Sequence, residues 1–238
     1  MAKSFPGIPP EGLQFLSDLA ANNDREWFAP RKTIFETKVK APLLELIGEL
    51  NAVLAKAAPD YVTDPAKSLY RIYRDTRFSK DKTPYKTHAS ALFWKQSLGK
   101  DTGAAMYLQI GPDGILVGGG IYMSEPDTLR AIREYAAENA VALRKILARP
   151  AIKSLFGEMS GESATRVPKG FDPAHPEVEL LKRKQFLLFS TLDASIATTP
   201  KLYTELKSRF EAIAPFIEYL NVPVSGMKRI AEKRFFED

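Results

Sequence analysis

The fold turns on the stretch Ala104-Ala105-Met106-Tyr107-Leu108-Gln109-Ile110, then Gly111-Pro112-Asp113-Gly114, then Ile115-Leu116-Val117-Gly118-Gly119-Gly120-Ile121-Tyr122-Met123. Two apolar runs flank a four-residue tight-turn sequence, which predicts an antiparallel hairpin with strands over 104–110 and 115–123. Three successive glycines weaken a strand, so Gly118-Gly119-Gly120 signals a bulge or a close backbone approach. They lack the G-x-G-x-x-G spacing and lead into Ile121-Tyr122 rather than a helix, so a dinucleotide-binding turn is not supported.

Working outward, 69–75, 88–94 and 185–191 are short, apolar and aromatic-rich, and read as further strands. Residues 10–57 read as helical, with Asn23 as a cap, Glu26 completing a capping box, and Pro30 marking a late start or a kink. A helix restarts at Ala41-Pro42, with Leu43, Ile47, Leu50 and Leu54 as its core stripe. Past Ser124 the helical period returns through Leu129, Ile132, Leu143, Ile146 and Leu147, and a short helix follows from Pro150 to Met159. Thr199-Pro200 opens a long helix on Leu202, Leu206, Phe210 and Ile213, which Pro215 should kink or end, and the tail 228–238 reads as mobile. Strands adjacent in sequence with helices before and after them predict an α+β fold, a single domain over 1–238 with a central antiparallel sheet flanked by helices.

Composition narrows the chemistry. The 238 residues include no Cys, which removes disulfides, thiolate metal sites and thiol nucleophiles. No apolar run approaches the ~20 residues of a spanning helix, and Met1–Gly7 lacks the apolar stretch of a secretory signal, so the expectation is a cytoplasmic protein with no membrane partner. The formal charge is +5, unevenly spread. Lys67–Lys100 holds nine bases and two acids, +7 in all, so the remainder sums to −2. Such a cluster attracts phosphates or carboxylates.

Its centre is Arg71-Ile72-Tyr73-Arg74-Asp75-Thr76-Arg77-Phe78-Ser79-Lys80-Asp81-Lys82-Thr83-Pro84-Tyr85-Lys86. In an extended chain Tyr70, Ile72 and Arg74 share one face, while Arg71, Tyr73, Asp75 and Arg77 share the other. Arg supplies a planar fork for phosphate or carboxylate, Lys a mobile point charge and Ser a neutral donor. Arg71, Arg74, Arg77, Ser79, Lys80, Lys82 and Lys86 are therefore candidate anion ligands, with Asp75 and Tyr85 beside them and Tyr73, Phe78 and Tyr85 able to stack on a ring. The competing expectation is that Arg74–Asp75 and Lys80–Asp81 are internal ion pairs that fix a turn. His88, just beyond, is the one candidate general base, and His175 lies in a Pro-rich loop. No H-E-x-x-H, P-loop or G-x-S-x-G motif is present, no cofactor is evident, and no metal site is expected, since bases outnumber Asp75 and Asp81 locally.

The run from Arg74 to Lys86 resembles the signature of a family of conserved bacterial and fungal proteins designated a domain of unknown function, Arg-Asp-x-Arg-Phe-Ser-Lys-Asp-Lys-x-Pro-Tyr-Lys. Asn22–Phe28, with its Asn-Asn-x-x-x-Trp-Phe pattern, Gly118–Tyr122 and Pro168–Phe171 are similar to the same family, and the likeness runs from about residue 5 to 220. The resemblance implies no activity. The expectation is thus an anion pocket at 71–86, roofed by Gly118–Gly120 and Pro168–Phe171, in a protein that binds or acts on a phosphorylated small molecule, enzyme or binder alike. A nucleic-acid partner and a purely structural or interaction role are the alternatives. The oligomeric state is not expressed in the sequence.

Overall fold

Four strands, β1 (Ala89–Trp94), β2 (Ala105–Gly111), β3 (Gly114–Ile121) and β4 (Phe186–Leu192), form an antiparallel sheet in sequence order. The computed structural model describes residues 5–237, with side chains through Lys228. The β2–β3 hairpin closes as the turn chemistry requires, pairing Gly111 with Gly114 and Ile110 with Ile115. The four strands match the expected runs to within two residues at each end, and the chain forms one α+β domain.

The register sorts the sheet into two faces. Ala91, Phe93, Met106, Leu108, Ile115, Val117, Phe186 and Leu188 point to one side, and all are buried. The C-terminal helix Lys201–Glu237 crosses that side over β2 and β3, with Leu202, Leu206, Phe210, Ile213, Ile217 and Leu220 inward. The helix Ala41–Ala57 packs behind it on the expected stripe of Leu43, Ile47, Leu50 and Leu54. On the opposite face Leu92, Tyr107, Gln109, Leu116, Phe189 and Thr191 stay half-buried or exposed, while Ser90, Trp94, Ala105 and Leu187 are buried among them.

Several expected boundaries move. Residues 69–75 do not form a strand: they make two isolated bridges, Leu69 to Ala91 and Tyr73 to Tyr85, so the run passes from the edge of β1 to a second partner before a ladder forms. The helix after Ser124 breaks at Asn139 into Pro126–Glu138 and Ala140–Leu147. The next helix ends at Phe156, because Gly157 takes a positive φ of 72°. Pro215 does not end the last helix, which runs through both Pro215 and Pro223. Its backbone stays helical through the tail as far as Glu237, and Asp238 lies outside the described residues. Upstream, Pro30 opens a tight 3₁₀ turn, Ala29–Arg31, and a wide helical turn, Phe35–Lys40, carries the chain into Ala41–Ala57.

Candidate functional site

Residues 71–86 form a hairpin-like arm. The Arg74 amide donates to the Pro84 carbonyl (2.9 Å) and the Lys86 amide to the Ile72 carbonyl (2.8 Å). Ile72 and Tyr85 anchor the arm in the core. The Tyr85 ring stacks on Phe28 at 4.2 Å between centroids, and Tyr73 packs beside it. Asn23 does not cap a helix. Asp24 does, accepting from the Trp27 amide at 2.7 Å, which frees the Asn23 carboxamide to hold Tyr85. The early segment Asn22–Phe28 and the basic arm are therefore two halves of one substructure.

At the tip the acids answer the arginines, in pairings other than those expected. Arg77 grips Asp75 with a forked contact, Nε to Oδ1 at 3.0 Å and Nη2 to Oδ2 at 2.7 Å. Arg74 pairs with Asp81 and with the Thr83 hydroxyl, while Asp81 accepts from the Thr83 amide at 2.9 Å. Lys82 donates to the Thr76 carbonyl at 2.9 Å. Hydrogen bonds from Arg77 to Asp75, and from Thr83 and Arg74 to Asp81, lower both carboxyl pKa values to about 2. Arg74 and Arg77 thus brace the turn, as in the structural alternative, and do not converge on an empty centre. Lys80 is exposed, and no acid of the described residues pairs with it. Ser79 is half-buried, its amide held by the Thr76 carbonyl. Phe78 is 96% exposed, with the Arg77 guanidinium 5.8 Å from its ring centre.

The base of the arm differs. Tyr70 donates its amide to the Ser90 carbonyl, which lays it along the edge of β1 with its ring on the open face of the sheet. Two ammonium groups sit over that one ring, Lys86 Nζ at 5.0 Å and Lys100 Nζ at 4.3 Å from its centre. Lys100 also donates to the Lys67 carbonyl at 2.8 Å and reaches over Trp94. Neither lysine has a carboxylate within ion-pair distance among the described residues. Burial lowers both lysine pKa values, and the charges of Arg71 and Lys100 add to the effect on Lys86, while Asp101 opposes it on Lys100. His88, on the same face, is held below its usual range by burial and by Lys86, which keeps it neutral near pH 7. Burial raises the Tyr70 and Tyr107 pKa values.

Arg71, Lys86 and His88 are thus the sequence candidates gathered at the base, whereas Arg74, Asp75, Arg77 and Lys82 build the tip. Tyr70, Lys100, Tyr107 and Gln109 join them at the base, and no local sequence pattern links these four: the pairing along the sheet edge gathers them. The expected roof does not form. Side chains built on Gly118–Gly120 would meet β2, β4 and Ile217 of the last helix, and Phe171 lies under the Arg130 guanidinium at 5.4 Å. His175 accepts the Glu177 amide within its own turn, and Asp193 caps the turn that follows β4. No three acidic or histidine side chains are placed to share a metal ion among the described residues. A cavity of about 580 Å³ beside the last helix is lined by Asp60, Lys95, Glu218 and Lys228, but Lys95 is already held by Glu218 at 2.6 Å. No helix of the described residues is long and apolar enough to cross a membrane.

Residues 11–219 match the model of a family described as "Conserved hypothetical protein (DUF2461)", and the chain belongs to that family. Comparison with curated proteins and with solved structures gives no match.

Proposed function

We propose that this DUF2461 family member binds a phosphate-bearing small molecule on the open face of its sheet, where Lys86 and Lys100 hold the anion beside Tyr70. The observation that carries this reading is the pair of half-buried ammonium groups over one ring with no carboxylate between them. Two like charges taken partly out of water are costly, and a bound anion offsets that cost. Arg71, exposed at the same end of the arm, adds to the local field.

Thermal unfolding in orthophosphate and pyrophosphate, against sodium chloride at matched ionic strength, tests it. An anion at ~100 times its Kd stabilises by ~2.7 kcal/mol. The stabilisation should vanish in Lys86→Met and Lys100→Met and persist in Lys80→Met. Equal stabilisation by chloride, or loss in none of the three, would sink the reading.

A second reading rests on Phe78, whose exposed ring beside the Arg77 guanidinium is a stacking platform for a nucleic-acid base. The internal pairing of Arg74 and Arg77 leaves it fewer free charges than the sequence offers.

A further inference from the structure

We infer that the ligand of the Lys86–Lys100 site is a nucleotide, its planar heterocycle laid on the open face of the sheet. This rests on the phosphate reading above and names what the rest of the ligand is. The register puts Leu92, Tyr107, Gly118 and Phe189 in one row across all four strands, and Ser90, Gln109, Leu116 and Thr191 in the next. Gly118 leaves a gap in the first row. A Cβ there would come within 2.7 Å of Phe189 Cδ1, and in its absence the Tyr107 and Phe189 rings close to 6.3 Å at an interplanar angle of 80°. The result is a half-exposed aromatic floor on the side of the sheet away from the helix Lys201–Glu237.

The second row supplies the polar reader. Tyr107 donates its hydroxyl to Gln109 Oε1 at 3.0 Å, which points the amide nitrogen of Gln109 the other way. That Nε2 has no hydrogen-bond partner among the described residues, so a donor is offered beside an aromatic surface. A flat ring with a carbonyl or ring-nitrogen acceptor satisfies both features, and aromatic side chains on an open sheet are a general means of stacking bases. Two strand spacings, about 10 Å, separate the Tyr70 column from the Tyr107 column. A ribose phosphate bridges such a gap between its phosphate and its base.

Affinities for pyrophosphate, ribose 5-phosphate, AMP, UMP and a ten-nucleotide oligouridylate, measured by titration calorimetry, decide the matter. AMP or UMP should bind at least tenfold tighter than ribose 5-phosphate, within the range stacking supplies. Phe189→Leu and, separately, Gln109→Ala should remove that gain and leave ribose 5-phosphate binding unchanged, which also shows that the variants fold. An oligonucleotide that binds tighter than UMP, with a steeper salt dependence, would place the same nucleotide chemistry within a strand. If ribose 5-phosphate binds as well as AMP and UMP, or the two variants keep the gain, the nucleotide assignment is overturned while the phosphate site stands. If pyrophosphate and ribose 5-phosphate do not bind, the phosphate reading fails and the nucleotide with it.

Discussion

The carboxamide of Asn23 and the backbone of Tyr85 lie 62 residues apart in sequence and share two hydrogen bonds: Asn23 Nδ2 donates to the Tyr85 carbonyl at 2.9 Å, and the Tyr85 amide donates to Asn23 Oδ1 at 3.0 Å. One side chain thereby supplies what a neighbouring strand would, and the basic arm stays ordered without a ladder. Asn23→Ala should cost about 1–3 kcal/mol, the sum of two such bonds to part-buried groups. Asn23→Asp keeps the acceptor for the Tyr85 amide and sets a carboxylate against its carbonyl, so it should not rescue. Urea unfolding gives the cost for both variants, and hydrogen exchange at the Tyr85 amide should accelerate in Asn23→Ala before any change in the sheet.

The tip of the arm should unlock in acid. Asp75 and Asp81 have folded pKa values of about 2 against ordinary values near 3.8. A carboxyl with a depressed folded pKa contributes stability that is full above its unfolded value and is lost as pH falls through the folded one. The change is therefore confined to the interval from about 4 down to about 2. Carbon-detected NMR of the side-chain carboxyls should show both midpoints near 2, and Arg77→Ala should return Asp75 toward its ordinary value without moving Asp81.

Lys86→Met should have opposite effects with and without ligand. The folded pKa of Lys86 lies below the ordinary 10.5, because of burial first and the neighbouring Arg71 and Lys100 charges second. A lysine that binds its proton less tightly when folded penalises the native state at neutral pH, and the penalty lifts as pH rises from the folded value toward 10.5. The variant should thus melt no lower than the parent at pH 7 without phosphate and gain less between pH 7 and pH 10. In pyrophosphate the order should reverse. A variant less stable under both conditions would mean that Lys86 is a packing residue.

Asn221 joins three elements in the dry interior. It is fully buried, accepts from the Ala104 amide at 2.8 Å, and donates Nδ2 to the Ala104 carbonyl and the Tyr61 hydroxyl, both at 2.8 Å. Tyr61 in turn donates to Glu218, and burial raises its pKa. Asn221→Leu orphans both backbone groups of Ala104 and should cost about 3 kcal/mol or more. Tyr61→Phe removes one partner and should cost less. Denaturant unfolding of the two variants and their double gives the coupling.

What the sequence shows of this protein is what neighbouring residues decide. The turn Gly111-Pro112-Asp113-Gly114 and the Leu43–Leu54 stripe depend on local geometry and period, and both appear where expected. The run 69–75 has strand composition but only two bridges, one to the edge of β1 at Ala91 and one to Tyr85 on the other limb of the arm. The arginines and acids of the tip are evident as a set, whereas which pairs with which follows from the turn, which brings Arg74 to Asp81 instead of its neighbour Asp75. Tyr70 lies 30 residues from Lys100 and 37 from Tyr107, and only the pairing along the sheet unites Tyr70 with Tyr107 and gives the lysines their shared ring. Gly118 was legible as a close approach, but the ring that approaches, Phe189, lies 71 residues downstream.

The helix Lys201–Glu237 has a consequence for how the chain is made. The sheet can complete its ladders once β4 has emerged, but the buried faces of β2 and β3 have no cover until Phe210, Ile217 and Leu220 arrive, and the Ala104 peptide groups have no partner before Asn221. Synthesis at a few residues per second leaves that apolar surface bare for seconds. A chain that stops between Lys201 and Asn221 therefore leaves the apolar face of the sheet without its cover and Ala104 without its partner.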